Sequence, residues 1–130
     1  MTLKIKQYTI LIVEDEISLR NALRDKFVRK GFSILEAKDG EEGLAVALEK
    51  EPNLILLDII MPRMDGMTML KKLRQENRWA KNVPVMLLSN LGGDDEKMML
   101  EIEKDRLVDY LVKSNWSLNE VVEKVKEKLP

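Results

Sequence analysis

Apolar residues follow two alternating rhythms along this chain. Tyr8 to Val13, Asn53 to Leu57, Val83 to Leu88 and Val108 to Val112 are short runs without polar alternation. Runs of that length and character predict strands covered on both faces. Phe32 to Ala37 alternates more weakly and predicts an edge strand. Between these runs the apolar residues recur at helical spacing. Ile17, Leu19, Leu23 and Phe27 mark one helix, which Gly31 closes. Asp39 followed by Glu42 is a capping-box signal for a helix over Gly40 to Lys50. Asp65 can cap a helix carrying Met69, Leu70 and Leu73. After a Gly92-Gly93 loop, Asp94 can cap another with Met98, Met99 and Ile102 on its apolar side. Ser117 with Glu120 gives a second capping box, and Leu118, Val122, Val125 and Leu129 form one stripe behind it.

Five strand–helix units in succession predict an α/β fold with a parallel sheet between two helical layers. Right-handed crossovers favour a doubly wound arrangement, whose ligand site lies at the carboxyl ends of the strands near the switch point. The 130 residues suit a single domain, 1–130, with no linker, repeat or low-complexity segment.

Composition then narrows the chemistry. The chain has no Cys and no His, which excludes a disulfide framework, a thiolate or His-ligated zinc site and a Ser-His-Asp triad. With 22 Lys+Arg against 23 Asp+Glu the net charge is −1, so bulk electrostatics predict no direct DNA binding. No apolar run approaches the roughly 20 residues of a membrane span. Glu14, Asp15 and Glu16 interrupt any leader behind the first lysines, and the expected location is the cytoplasm, away from membranes.

The polar residues that directly follow the apolar runs carry the functional signal. The first strand leads into Glu14-Asp15-Glu16, the third into Asp58, the fourth into Ser89 and the fifth into Lys113. In the doubly wound arrangement Glu14, Asp15 and Asp58 converge on one pocket, with Ser89 and Lys113 at its rim. Three carboxylates so close repel one another and require protons or a cation. Oxygen donors suit a hard ion such as Mg²⁺, and Lys113 adds a positive charge. Taken singly, an acidic pair opening a helix can be dipole compensation, and a Ser after a strand a turn residue. Asp58 resists so plain an account, because an ionised group after four apolar residues has lost water.

The segment Leu56-Leu57-Asp58-Ile59-Ile60-Met61-Pro62-Arg63-Met64-Asp65-Gly66 resembles the phosphoacceptor stretch of the receiver domains of response regulators in two-component signal transduction. The acidic pair, Ser89, Lys113 and Tyr110 stand in matching order, so the resemblance covers essentially the whole chain. It implies a flavodoxin-like (βα)5 fold with strand order 2-1-3-4-5 and a phosphorylation-controlled switch. Asp58 would take a phosphoryl group from a sensor histidine kinase or phosphotransfer protein. Mg²⁺ would be bound by Asp15, Asp58 and the backbone carbonyl of Ile60, with Glu14 acting through water. Ser89 and Tyr110 would relay phosphorylation to the face made by the fourth helix, fifth strand and fifth helix, where an unknown downstream protein binds. The resemblance also allows a phosphorylation-dependent dimer. The chain would not be an enzyme beyond promoting its own phosphorylation and dephosphorylation. With one helix after Lys113, no output domain is expected.

Two departures from the family pattern favour the competing expectation of a receiver-like interaction module that is not phosphorylated. Ser114 follows Lys113 where the family usually has Pro after a cis peptide, and Asn90 follows Ser89 where it prefers Ala or Gly. A phosphatase on this fold would want a second Asp at Ile60, and a nucleotide binder would want a Gly-rich loop in place of Glu14-Asp15-Glu16. Ile60 and Leu91, both apolar, cannot orient an attacking water, which predicts slow self-dephosphorylation.

Overall fold

A computed structural model describes residues 7–89 and 96–129. Five strands, β1 (Thr9–Val13), β2 (Ser33–Ala37), β3 (Leu54–Asp58), β4 (Val85–Ser89) and β5 (Val108–Val112), form one parallel sheet in the order β2-β1-β3-β4-β5. The expected order and class are therefore observed. Helices α1 (Ile17–Arg29), α2 (Gly40–Lys50), α3 (Gly66–Arg74), α4 (Arg78–Asn82), α5 (Glu96–Glu103) and α6 (Leu118–Lys128) connect and cover the strands. The order reverses between β1 and β3, and this switch point positions the site.

The strands separate two cores. Leu11, Val13, Ile55, Leu57 and Leu87 face one side, under Ala47 of α2, Met69 and Leu73 of α3, Ala80 of α4 and Ile102 of α5. Ile10, Ile12, Leu54, Leu56, Met86 and Leu88 face the other, under Leu23 and Phe27 of α1 and Val121, Val122 and Val125 of α6. Burial on both faces is why these strands lack polar alternation. At the sheet's edges, Glu36 of β2 pairs with Arg20 at 3.6 Å and Arg24 at 3.7 Å, and Asp109 of β5 pairs with Lys128 at 3.3 Å.

The caps explain the helix starts. Asp39, Asp65 and Ser117 each accept the backbone N–H three residues on, and Ser117 with Glu120 closes a full capping box. Glu42 reaches back to the amide of Lys38, one residue before the cap, so only half of that expected box forms at Asp39. Three differences from the expected elements stand out. The short α4, capped by Asn77, was not expected. Ile17 opens α1 exposed, outside its buried stripe, and Leu118 and Leu129 are only half-buried beside Val121. Lys113–Asn115 form a 3-10 turn. Asn90, Leu91, Gly92, Gly93 and Asp94, and the side chains of Met98 and Met99, lie outside the described residues.

Candidate functional site

Strand register builds the site. Val13 pairs with Leu57, so Glu14 and Asp58 stand level as the next residues along neighbouring strands. Side chains alternate across a sheet, and both carboxyls follow the parity of Ile12 and Leu56. Asp58 pairs with Leu88, and Ser89 with Val112, which brings Lys113 alongside.

Lys113 Nζ lies 2.8 Å from Glu14 Oε1 and donates to Asp58 Oδ2 at 3.2 Å. Its side chain is 17% exposed, so the lysine reaches into the pocket, where the sequence suggested a place on the rim. Ser89 was also expected at the rim and is instead fully buried. It shares its sheet face with Leu87 and, across the β4–β5 pairing, with half-buried Tyr110. Asp15 is exposed at the pocket mouth, and Ile60 is 60% exposed beyond Asp58.

Glu14, Asp15 and Asp58 each offer a carboxylate oxygen within 4.8 Å of the other two. Burial pushes the Glu14 carboxyl up to about 7; Lys113 opposes that rise and the charge of Asp58 adds to it. Glu14 Oε1 is buried and accepts no directed hydrogen bond, although the Lys113 ammonium is its ion-pair neighbour. Burial alone would lower the Lys113 ammonium, but Glu14 and Asp58 outweigh it and hold the group above its ordinary value. One lysine against three carboxylates leaves an excess of negative charge. That excess, together with an all-oxygen donor set, fits a hard divalent cation.

Some contributors carried no signal in the sequence. Arg20, on α1, donates from Nη1 to the backbone oxygen of Glu14 at 2.8 Å and fastens the loop that presents Asp15. Its spacing marked only a polar helix position. No peptide bond among the described residues is cis, so Ser114 sends the chain into the 3-10 turn while Lys113 still reaches both carboxylates. On the face assigned to partners, Glu101 turns to Lys71 of α3 at 3.4 Å and Lys124 to Glu127 at 3.3 Å.

Residues 10–126 match the family model of the response regulator receiver domain. The chain is 36% identical over 118 residues to the alkaline phosphatase synthesis transcriptional regulatory protein PhoP of Bacillus subtilis, covering 90% of this chain and 46% of that protein. It is 34% identical over 89 residues to the DNA-binding dual master transcriptional regulator RpaA of Synechocystis, covering 68% of this chain and 36% of that protein. Among solved structures it superposes on the Francisella response regulator 1452 receiver domain with a TM-score of 0.81 at 30% identity, covering 94% of this chain and 96% of that one. The chain thus spans less than half the length of the curated relatives it matches.

These relatives overturn the expectation of no direct DNA binding, since they are transcriptional regulators and one is DNA-binding by name. That expectation rested on net charge and on the short stretch after Lys113. Both describe these 130 residues alone. No helix among the described residues is long and apolar enough to cross a membrane.

Proposed function

Because this chain belongs to the response regulator receiver domain family, we propose that it is a phosphorylation-controlled signalling switch with Asp58 as the acceptor and Mg²⁺ as the cofactor. One observation carries the reading: buried Asp58 lies 3.2 Å from Lys113 Nζ, inside a cluster of three carboxylates. A carboxylate oxygen of Asp58 attacks phosphorus. A P–O bond forms, and the bond from phosphorus to the donor's imidazole nitrogen breaks. These 130 residues hold no His, so the phosphohistidine lies outside them, on a sensor kinase or phosphotransfer protein.

Asp15 and Asp58 would hold Mg²⁺ directly, with the Ile60 carbonyl, and Glu14 through water. The ion, when bound, neutralises charge on the transferring phosphoryl oxygens. Lys113 supplies the second cation there and orients the Asp58 oxygens. Ile60 is exposed and apolar where a water would have to be oriented, so the aspartyl phosphate persists for many minutes. Chemistry ends with the protein's own phosphorylation and dephosphorylation.

Phosphorylation adds nearly two negative charges and new acceptor oxygens. Ser89 donates to one of them, and Tyr110, on the same sheet face, turns toward the space that Ser89 leaves. The α5–β5–α6 face then changes for a downstream protein. Residues 10–126 act as one receiver unit in the cytoplasm, and the names of the relatives make transcriptional control the favoured output.

The test is incubation with Mg²⁺ and acetyl phosphate, followed by intact-mass measurement. Wild type should gain one phosphoryl group and Asp58→Asn none. No gain in wild type would leave an unphosphorylated interaction module, and a gain in Asp58→Asn would move the acceptor elsewhere.

A further inference from the structure

The capping carboxylate of α2 has a second partner. Asp39 Oδ1 accepts the Glu42 amide at 2.9 Å, and its Oδ2 accepts from Arg63 Nη1 at 3.0 Å. The Asp39 side chain is 4% exposed and that of Arg63 is 62% exposed, so the pair runs from the surface into the protein. Arg63 has φ +66, a left-handed conformation that an arginine seldom adopts and that persists only where its surroundings fix it.

Arg63 lies in loop 59–65, which leaves Asp58 and carries Ile60. Three backbone contacts fasten this loop, the first from the Ile59 amide to the Leu88 oxygen at 3.3 Å. The Gly66 amide donates to the Ile59 oxygen at 2.8 Å, and a Cβ at Gly66 would stand 2.2 Å from the Asp58 carbonyl oxygen. The Gly40 amide donates to the Met64 oxygen at 3.1 Å, and a Cβ at Gly40 would stand 2.3 Å from that oxygen. Ile59 and Met61 send their side chains into the core. The Arg63–Asp39 contact is a further fastening, and the only one of these made by side chains.

We propose that Asp39 and Arg63 form a positioning clamp that holds loop 59–65 so that the backbone at Ile60 stays set for the divalent ion bound by Asp15 and Asp58. The inference rests on the receiver reading above and deepens it with two residues outside the acidic cluster. A clamp of this kind acts as outer-shell partners of metal ligands do, by fixing orientation. A purely structural ion pair would affect stability alone.

The experiment is a Mg²⁺ titration of the 130-residue chain, followed through the backbone amide signals of Asp58, Ile60 and Gly66 by NMR. Glycine accepts φ +66, so Arg63→Gly removes the clamp without adding strain. Asp39→Asn keeps the helix cap and removes the charge. Both should weaken Mg²⁺ binding by about threefold to tenfold, and Arg63→Lys, which keeps a cation, should stay within about twofold of wild type. Wild-type affinity in both Arg63→Gly and Asp39→Asn would overturn the clamp while leaving the receiver reading intact. A wild type that takes no Mg²⁺ would overturn both.

Discussion

Two buried carboxyls in this molecule are driven in opposite directions, and their donors explain why. Asp39 receives a backbone amide and a guanidinium, and the Glu42 amide above all holds its carboxyl below the ordinary value of 3.8, against the effect of burial. Glu14 has a backbone amide and an ammonium shared with Asp58, and there burial wins. For Asp39 the folded pKa lies below the unfolded one. Its contribution to stability is therefore complete above the unfolded value and is lost as pH falls through the folded value. Below about pH 4, the urea midpoint should fall more steeply for wild type than for Asp39→Asn, whose amide still caps α2. Parallel slopes would show that the Asp39 charge contributes nothing to acid stability.

Among the elements, α3 is tied to its neighbours through one side chain. Arg74, at its carboxyl end, donates to Asp105 Oδ2 at 2.8 Å, to the Ala80 oxygen at 2.9 Å and to the Val83 oxygen at 2.7 Å. It thereby joins α3, α4 and the turn before β5. Arg74→Met leaves two carbonyls and a carboxylate without this donor and should cost about 2–4 kcal/mol in urea unfolding. Lys71→Met breaks only an exposed pair with Glu101 and should cost under about 1 kcal/mol. Equal losses from the two substitutions would refute the ranking.

The same arginine marks where sequence reading stops. The longer helices were legible because burial writes a period into the chain: α2 begins and ends where its apolar pattern and cap place it, and β5 was legible as a short apolar run. The five-residue α4 is too short to show a period, and Asn77 alone marked its start. Glu14, Asp58 and Lys113 were legible because a charge following an apolar run demands a reason. Arg20, Arg63 and Arg74 were not, since each looks like an ordinary surface position until folding supplies its partner. For Arg63 that partner is 24 positions away, and for Arg74 it is 31.

Across the whole molecule, the acidic cluster exists only when β1 and β3 lie side by side. An ion that binds this cluster therefore binds the folded chain and not the unfolded one. At ten times its dissociation constant it stabilises by about 1.4 kcal/mol. For a chain of this length that raises Tm by about 3–6 °C. MgCl2 should produce this rise where NaCl of matched ionic strength does not, and Asp15→Asn should abolish it. A Tm indifferent to Mg²⁺ would remove the cation from the account.

The ion pairs at the margins of the sheet bear on how the protein behaves in a crowded solution. An open strand border is a template on which a foreign strand can add and start a growing ladder. Here Glu36 on one border is gripped by Arg20 and Arg24, and Asp109 on the other by Lys128. An incoming strand meets fixed charge on either side and would have to strip it of partners and water. Fixed charge on both borders therefore opposes the addition of a foreign strand at either side of the sheet.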